Sequence, residues 1–149
     1  MDSMTVKFQK LHEQARIPQR STEGSAGMDL CARIDEPVTV PAGGRVGIPT
    51  GIAMGLPGPE TVGLVFARSG LAVKHGLALS NGVGVIDSDY TGEIRVGLVN
   101  LSDKAYTIEP GERIAQLVIM PVLLPEVELV EALEETARGA GGFGSTGRK

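Results

Sequence analysis

From Val38 onward the chain alternates apolar residues with small or polar ones. It is broken at Pro41-Ala42-Gly43-Gly44, Pro49-Thr50-Gly51, Pro57-Gly58-Pro59, Asn81-Gly82, Ser102-Asp103 and Pro110-Gly111. Alternation suits a strand with one buried face, and Gly, Pro and Asn at this spacing reverse the chain before a long helix can form. The pattern therefore predicts an all-β domain, an antiparallel sandwich or barrel of short strands. With 149 residues there is room for one domain of ordinary size and no second one. Aromatic residues make up only 3% and Trp is absent, so the core has to be built from Val, Ile, Leu and Ala.

Within that frame Glu93, Arg95 and Gly97 alternate with Ile94, Val96 and Leu98, which reads as a half-buried strand. The uniformly apolar run Ile114 to Met120 reads as a central strand. The segment Ala67 to Gly76 departs from the β pattern. Its apolar residues recur at helical spacing and its last Gly suits a C-cap, so a short helix is expected there. Glu126 to Ala137 has helical propensity, while Val127, Leu129 and Val130 would equally suit an edge strand; the residues leave both open.

A net charge of -4 argues against non-specific binding to nucleic acid or to an anionic membrane, so an anionic ligand has to be met by local positive charge. The single Cys31 excludes an internal disulfide and a cysteine-based metal site; it suits a reducing compartment and reads as a small core residue. No apolar run reaches the roughly 18 residues of a membrane span, and Met1 to Lys10 lacks the apolar block of a secretory signal. A cytoplasmic protein is expected.

Residues 138–149 form a segment of a different kind. Five glycines, three cations, two hydroxyls and the ring of Phe143, with no acid, cannot make a core element. Such a segment is expected to be mobile without a ligand. Its backbone N–H groups, Arg138 and the Phe143 ring have the chemistry of a lid over a nucleotide, against the plainer reading of a disordered tail. Neither common phosphate fingerprint applies: Gly139, Gly141 and Gly144 satisfy G-x-G-x-x-G without the helix that motif requires, and Gly147 is followed by Arg148 where a Walker motif needs Lys.

Other candidates are individually modest. Asn81 to Glu93 opens on a hairpin signal and places Asp87, Asp89 and Tyr90 in a loop; this is either a solvated turn or a carboxylate able to deprotonate water beside an aromatic face. Asp29 lies among small and apolar residues, in a turn or a structural hydrogen bond. Arg68-Ser69-Gly70 at the start of the expected helix reads as an anion site or a simple N-cap. Gln116 sits in an apolar strand where its amide needs partners, structural or ligand.

Taken together and in order, these segments resemble the trimeric dUTP pyrophosphatases (dUTPases). The five motifs of that family correspond to A-G-M-D-L at 26–30, A-R-S-G-L-A at 67–72, G-V-G-V-I-D-S-D-Y-T-G-E at 82–93, G-E-R-I-A-Q-L at 111–117 and R-G-A-G-G-F-G-S-T-G at 138–147. The resemblance spans nearly the whole chain. Met28, where many relatives carry an aromatic or Leu, and Cys31 are its small departures, both read as packing changes. His12 and His75 take no catalytic role from it.

The resemblance implies a jelly-roll-like subunit with one short helix, a homotrimer with shared active sites, and hydrolysis of dUTP to dUMP and pyrophosphate. Residues 1–137 would form the β domain and 138–149 its lid. Asp87 matches the catalytic carboxylate that activates water for attack on the α-phosphorus. Asn81 and the backbone at Val85 and Ile86 match the uracil reader, and Tyr90 matches the ring under the deoxyribose. Arg95 stands where relatives vary. Arg68, Ser69 and Gly70 match phosphate contacts from a neighbouring subunit, and Gln116 matches a residue of the phosphate and water network. Arg138, Phe143, Gly144, Ser145 and Thr146 match the lid. Mg²⁺ would be bound chiefly by the phosphates, with Asp29 reaching it through water. Two rivals accompany this reading: a dCTP deaminase, which shares the fold and uses a Glu near the base-binding hairpin, and a non-catalytic nucleotide sensor or protein-binding module on the same scaffold.

Overall fold

The computed structural model describes residues 4–144 and 147. Ten strands and one helix follow in the order β1 (Lys7–Lys10), β2 (Met28–Cys31), β3 (Val38–Val40), β4 (Arg45–Gly55), β5 (Thr61–Phe66), α1 (Ser69–His75), β6 (Leu77–Leu79), β7 (Gly84–Ile86), β8 (Glu93–Asn100), β9 (Tyr106–Ile108) and β10 (Arg113–Pro121). They pair as two four-stranded antiparallel sheets, β1-β4-β8-β6 and β2-β10-β5-β7, with β3-β9 as a separate two-stranded piece. This is the expected all-β, jelly-roll-like architecture with one short helix.

The core is aliphatic. Leu30, Ile48, Ile52, Leu98, Ile114 and Leu117, contributed by both sheets, are at most 1% exposed. On β8, Ile94, Val96 and Leu98 point inward and alternate with the more exposed Arg95 and Gly97, as their period-two pattern requires. Strand β10 lies between β2 and β5, which explains its continuous apolar run. Helix α1 is held at its C-terminus by Gly76, whose left-handed backbone (φ 69°) lets its N–H bond the Ala72 carbonyl.

Two turn signals in the sequence have other outcomes. Pro49-Thr50-Gly51 does not end a strand. The pairing of β4 with β8 jumps from Pro49↔Arg95 to Ala53↔Glu93, so the signal marks a bulge inside one long strand. Gly51 sits there at φ 69°, and a Cβ on it would come within 2.9 Å of the Ala15 Cβ, so both backbone and space demand Gly. At Asn81-Gly82 the chain does turn, with Gly82 at φ 76° and its N–H bonded to the Leu79 carbonyl. The flanking strands do not pair as a hairpin, however: β6 joins β8 in one sheet and β7 joins β5 in the other. The turn carries the chain between sheets.

Residues 126–137 form neither of the elements left open for them. They run without helix or strand, and Val127, Leu129 and Leu133 stand exposed. Cys31 is a free, half-buried thiol at the end of β2, not a core residue. Burial pushes its thiol above the ordinary value, against the opposing pull of Arg16 and Arg113. Among the described residues no helix is long and apolar enough to cross a membrane.

Candidate active site

The inter-sheet turn and strand β7 form one wall of a cleft of about 310 Å³, which is closed on its other side by the start of β8. Asn81, Val85, Ile86, Asp87, Tyr90 and Arg95 all line it. The elements explain the gathering. Strand β7 is an edge strand paired only with β5, so its outer N–H and C=O groups face the cleft unpaired in the sheet, a template for the edge of a planar ligand. Beyond β7 the Tyr90 N–H bonds the Asp87 carbonyl (3.1 Å), closing the turn Asp87-Ser88-Asp89-Tyr90 and setting carboxylate and ring on one cleft. The Tyr90 hydroxyl donates to the Glu93 carbonyl (2.7 Å). The Asp87 carboxylate has no hydrogen-bond or ion-pair partner among the described residues and is exposed, so it is available to a ligand or a water.

Sequence reasoning missed Glu93, which also lines this cleft. One carboxylate oxygen accepts the Gly51 N–H (2.9 Å) and the other lies 3.4 Å from Arg95. Glu93 thereby fastens the β4 bulge to β8 beneath the cleft. Only the bulge reveals this tie, and no local pattern marks it.

A second pocket, of about 350 Å³, collects Asp29, Arg68, Ser69, Gly70 and Gln116, with Ser21, Ser25, Ala26 and Gly27. Strand register brings them together: Gln116 on β10 stands opposite Asp29 on β2 and Phe66 on β5. The Gln116 amide donates to the Ala67 carbonyl (3.0 Å), and its Oε1 lies over Gly27, where a Cβ would come within 2.2 Å of it. Asp29 is the hub. Its oxygens lie 3.3 Å from the Arg68 guanidinium and 3.5 Å from that of Arg113, with the Ser21 hydroxyl at 3.4 Å. Arg68 also donates to the Arg113 carbonyl (3.3 Å). The N-cap of α1 is Arg68 and not Ser69; no side chain caps the helix and no acid lies in its first turn. The Arg68 guanidinium and the hydroxyls of Ser21, Ser25 and Ser69 give this pocket donors that an anionic ligand can use, beside the Asp29 carboxylate. Arg113, another residue that sequence reasoning missed, could have been sought three positions before Gln116 on the same strand.

The two pockets share no lining residue. Arg138 and Phe143 line neither; the Arg138 Nε bonds the Gly141 carbonyl, and Phe143 is fully exposed with φ 50°. Gly144 is exposed as well, while Ser145 and Thr146 lie outside the described residues. The histidines stand apart from both sites: His12 meets Arg33, and the His75 ring lies 4.8 Å from that of Tyr106.

A family model described as dUTPase matches residues 13–147. A deoxyuridine 5'-triphosphate nucleotidohydrolase from Desulfitobacterium hafniense is 50% identical over 149 residues, with 99% of each chain covered. One from Idiomarina loihiensis is 51% identical over 150 residues, again covering 99% of each. Among solved structures, a mutant dUTPase of Staphylococcus bacteriophage 80alpha with dUpNHpp has a TM-score of 0.86 at 32% identity, covering 96% of this chain and 98% of its own. A mutant dUTPase from phage phi11 of S. aureus, described for the coordination of a structural Mg(II) ion, has a TM-score of 0.78 at 28% identity, with 88% and 99% covered.

Proposed function

Since the chain belongs to the dUTPase family, we propose that it hydrolyses dUTP to dUMP and pyrophosphate, with Asp87 activating the attacking water. The observation that carries this reading is the single cleft lined by the β7 edge, the unpartnered Asp87 and Tyr90. Uracil presents a planar edge of alternating donors and acceptors, which the open edge of β7 together with the Asn81 amide is suited to read. The Tyr90 ring lies under the deoxyribose, where a 2′-hydroxyl meets an apolar face without a partner. Asp87 takes a proton from water as the water attacks the α-phosphorus, and the bond to the departing pyrophosphate breaks. Arg95 is a rim contact.

The phosphates need positive charge, which among the described residues the cleft around Asp87 supplies only through Arg95. The pocket of Arg68, Ser69, Gly70 and Gln116 is suited to supply it from a neighbouring copy. Its lack of shared lining residues with the cleft supports a homotrimer with active sites between subunits. So does the exposed apolar face of residues 124–133, an area left for another chain to cover. Residues 138–149 act as the lid of the same domain: Phe143 covers the base, while Arg138, Gly144, Ser145 and Thr146 grip the terminal phosphate. Ordering that segment costs entropy that only a ligand touching both ends offsets.

Among the described residues no group of three or more His, Cys, Asp and Glu side chains could hold a metal ion. Asp29 is already engaged by two guanidinium groups. These residues do not fit a protein-built cage, but they do fit Mg²⁺ carried by the triphosphate, with Asp29 no closer than an intervening water. The ion would offset phosphate charge. A reducing cytoplasm suits the free Cys31 thiol.

A dCTP deaminase reading is disfavoured because Glu93, which lines the cleft along with Asp87, is occupied by the Gly51 N–H and Arg95. Pyrophosphate release measured across dUTP, dTTP, dCTP and UTP with Mg²⁺, together with ammonia release from dCTP, tests the proposal. Selective pyrophosphate release from dUTP is expected. Ammonia from dCTP would replace the reading with deamination, and no turnover of any of the four would leave a sensor.

A further inference from the structure

We propose that Gly92 is a positioning residue for sugar discrimination, because its missing side chain is what lets the Tyr90 ring lie where it does. The inference rests on the proposed role of Tyr90 and adds a residue that acts through it. A Cβ placed on Gly92 would come 2.6 Å from the Tyr90 hydroxyl oxygen, 2.8 Å from Cζ and 3.0 Å from Cε1. Heavy atoms do not pack that closely, and the three nearest neighbours all belong to one ring. Gly92 is absent from the glycines with positive φ, so an alanine there meets no backbone penalty. The requirement for glycine is one of space.

The ring cannot easily yield in place. Its hydroxyl donates to the Glu93 carbonyl at 2.7 Å, and Glu93 is itself anchored through its carboxylate to the Gly51 N–H at 2.9 Å. At the other end the Tyr90 N–H is tied to the Asp87 carbonyl at 3.1 Å. A tyrosine ring has only two side-chain torsions and no flexible tip to bend aside. Adding one methyl group at Gly92 therefore breaks the hydroxyl contact and swings the ring away from its seat. The Asp87-Tyr90 turn, a backbone feature, stays. The variant loses the surface that rejects a 2′-hydroxyl while keeping the carboxylate that activates water.

The test compares kcat/KM for dUTP and UTP in wild type, Gly92→Ala, Tyr90→Ala and the double variant, with thermal melting of each. Wild type is assayed first, since failure to hydrolyse dUTP would remove the underlying reading and not this inference alone. With an active wild type, Gly92→Ala is expected to lower the dUTP-to-UTP ratio by about tenfold or more. The change should come through KM for dUTP and a gain with UTP, with kcat for dUTP altered less. In the Tyr90→Ala background the same substitution should do nothing to the ratio or to the melting temperature, since the atoms it would strike are gone. An unchanged ratio in Gly92→Ala, or equal effects in both backgrounds, overturns the proposal. Should Gly92→Ala fail to fold, the double variant decides: recovered melting supports the ring clash, and continued failure refutes it.

Discussion

At Asp87 a carboxylate faces the cleft with no partner among the described residues, whereas at Asp29 the same chemical group is held between Arg68 and Arg113. The two acids differ in what the fold has left them to do. Asp29 uses its charge to fix two guanidinium groups, which under the proposed function preorganises the phosphate-binding surface before any ligand arrives. Asp87 holds nothing, and its lone pairs stay available to a proton from water. A fold that separates these tasks avoids a familiar conflict: a carboxylate strong enough to hold an arginine is poorly placed to act as a base beside phosphates.

Substitutions at the two sites should therefore differ in kind. The largest effect is expected for Asp87→Asn, with kcat for dUTP down by about 10²–10⁴-fold. Melting temperature and oligomeric mass should be unchanged, and near-normal pyrophosphate release would end the contrast by removing the base. Deleting residues 138–149 comes next, with kcat/KM lower by roughly 10²-fold and little change in melting. Equal activity in the truncated chain would mean that those residues are not a lid. Asp29→Asn should act through its arginines: a loss of about tenfold in kcat/KM and roughly 1 kcal/mol of stability, because the pairs it breaks are only partly buried. Added to Arg68→Ala it should cost little more in activity, and full additivity would show that Asp29 does not work through Arg68.

The smallest effect lies outside both pockets. Burial, aided by the Glu112 carboxylate that accepts its hydrogen bond, pushes the Tyr106 hydroxyl up to about 12. An unfolded tyrosine ionises near pH 10, so the folded state holds this proton more tightly. The resulting stability is fully present below about pH 10 and is lost as pH rises through about 12. Tyr106→Phe should flatten the fall in melting temperature across that window without changing activity at neutral pH. An identical alkaline profile would show that Tyr106 contributes none of it.

Periodicity served where burial is repetitive. Strands β8 and β10 and helix α1 follow from the spacing of Ile94, Val96 and Leu98, from the apolar run after Arg113, and from the Gly76 cap. It failed where one residue type serves two geometries. Gly51 and Gly82 both have positive φ, yet the first makes a bulge inside β4 and the second a turn between sheets. Residues 126–137 carry apolar side chains at spacings that suit helix or strand, but Val127, Leu129 and Leu133 stand almost fully exposed and the segment takes neither form.

The sequence by itself determined the β character, the aliphatic core, the short helix and the crowding of Asp87, Asp89 and Tyr90 into one loop, because those depend on neighbours a few positions apart. Only the tertiary structure decided that the Asn81 turn changes sheets, that Glu93 ties down the Gly51 bulge, and that Arg113 meets Asp29. Each of these joins residues distant along the chain, and strand register settles it: the pairing of Gln116 with Asp29 satisfies many backbone hydrogen bonds and buried side chains at once, which no local pattern can specify.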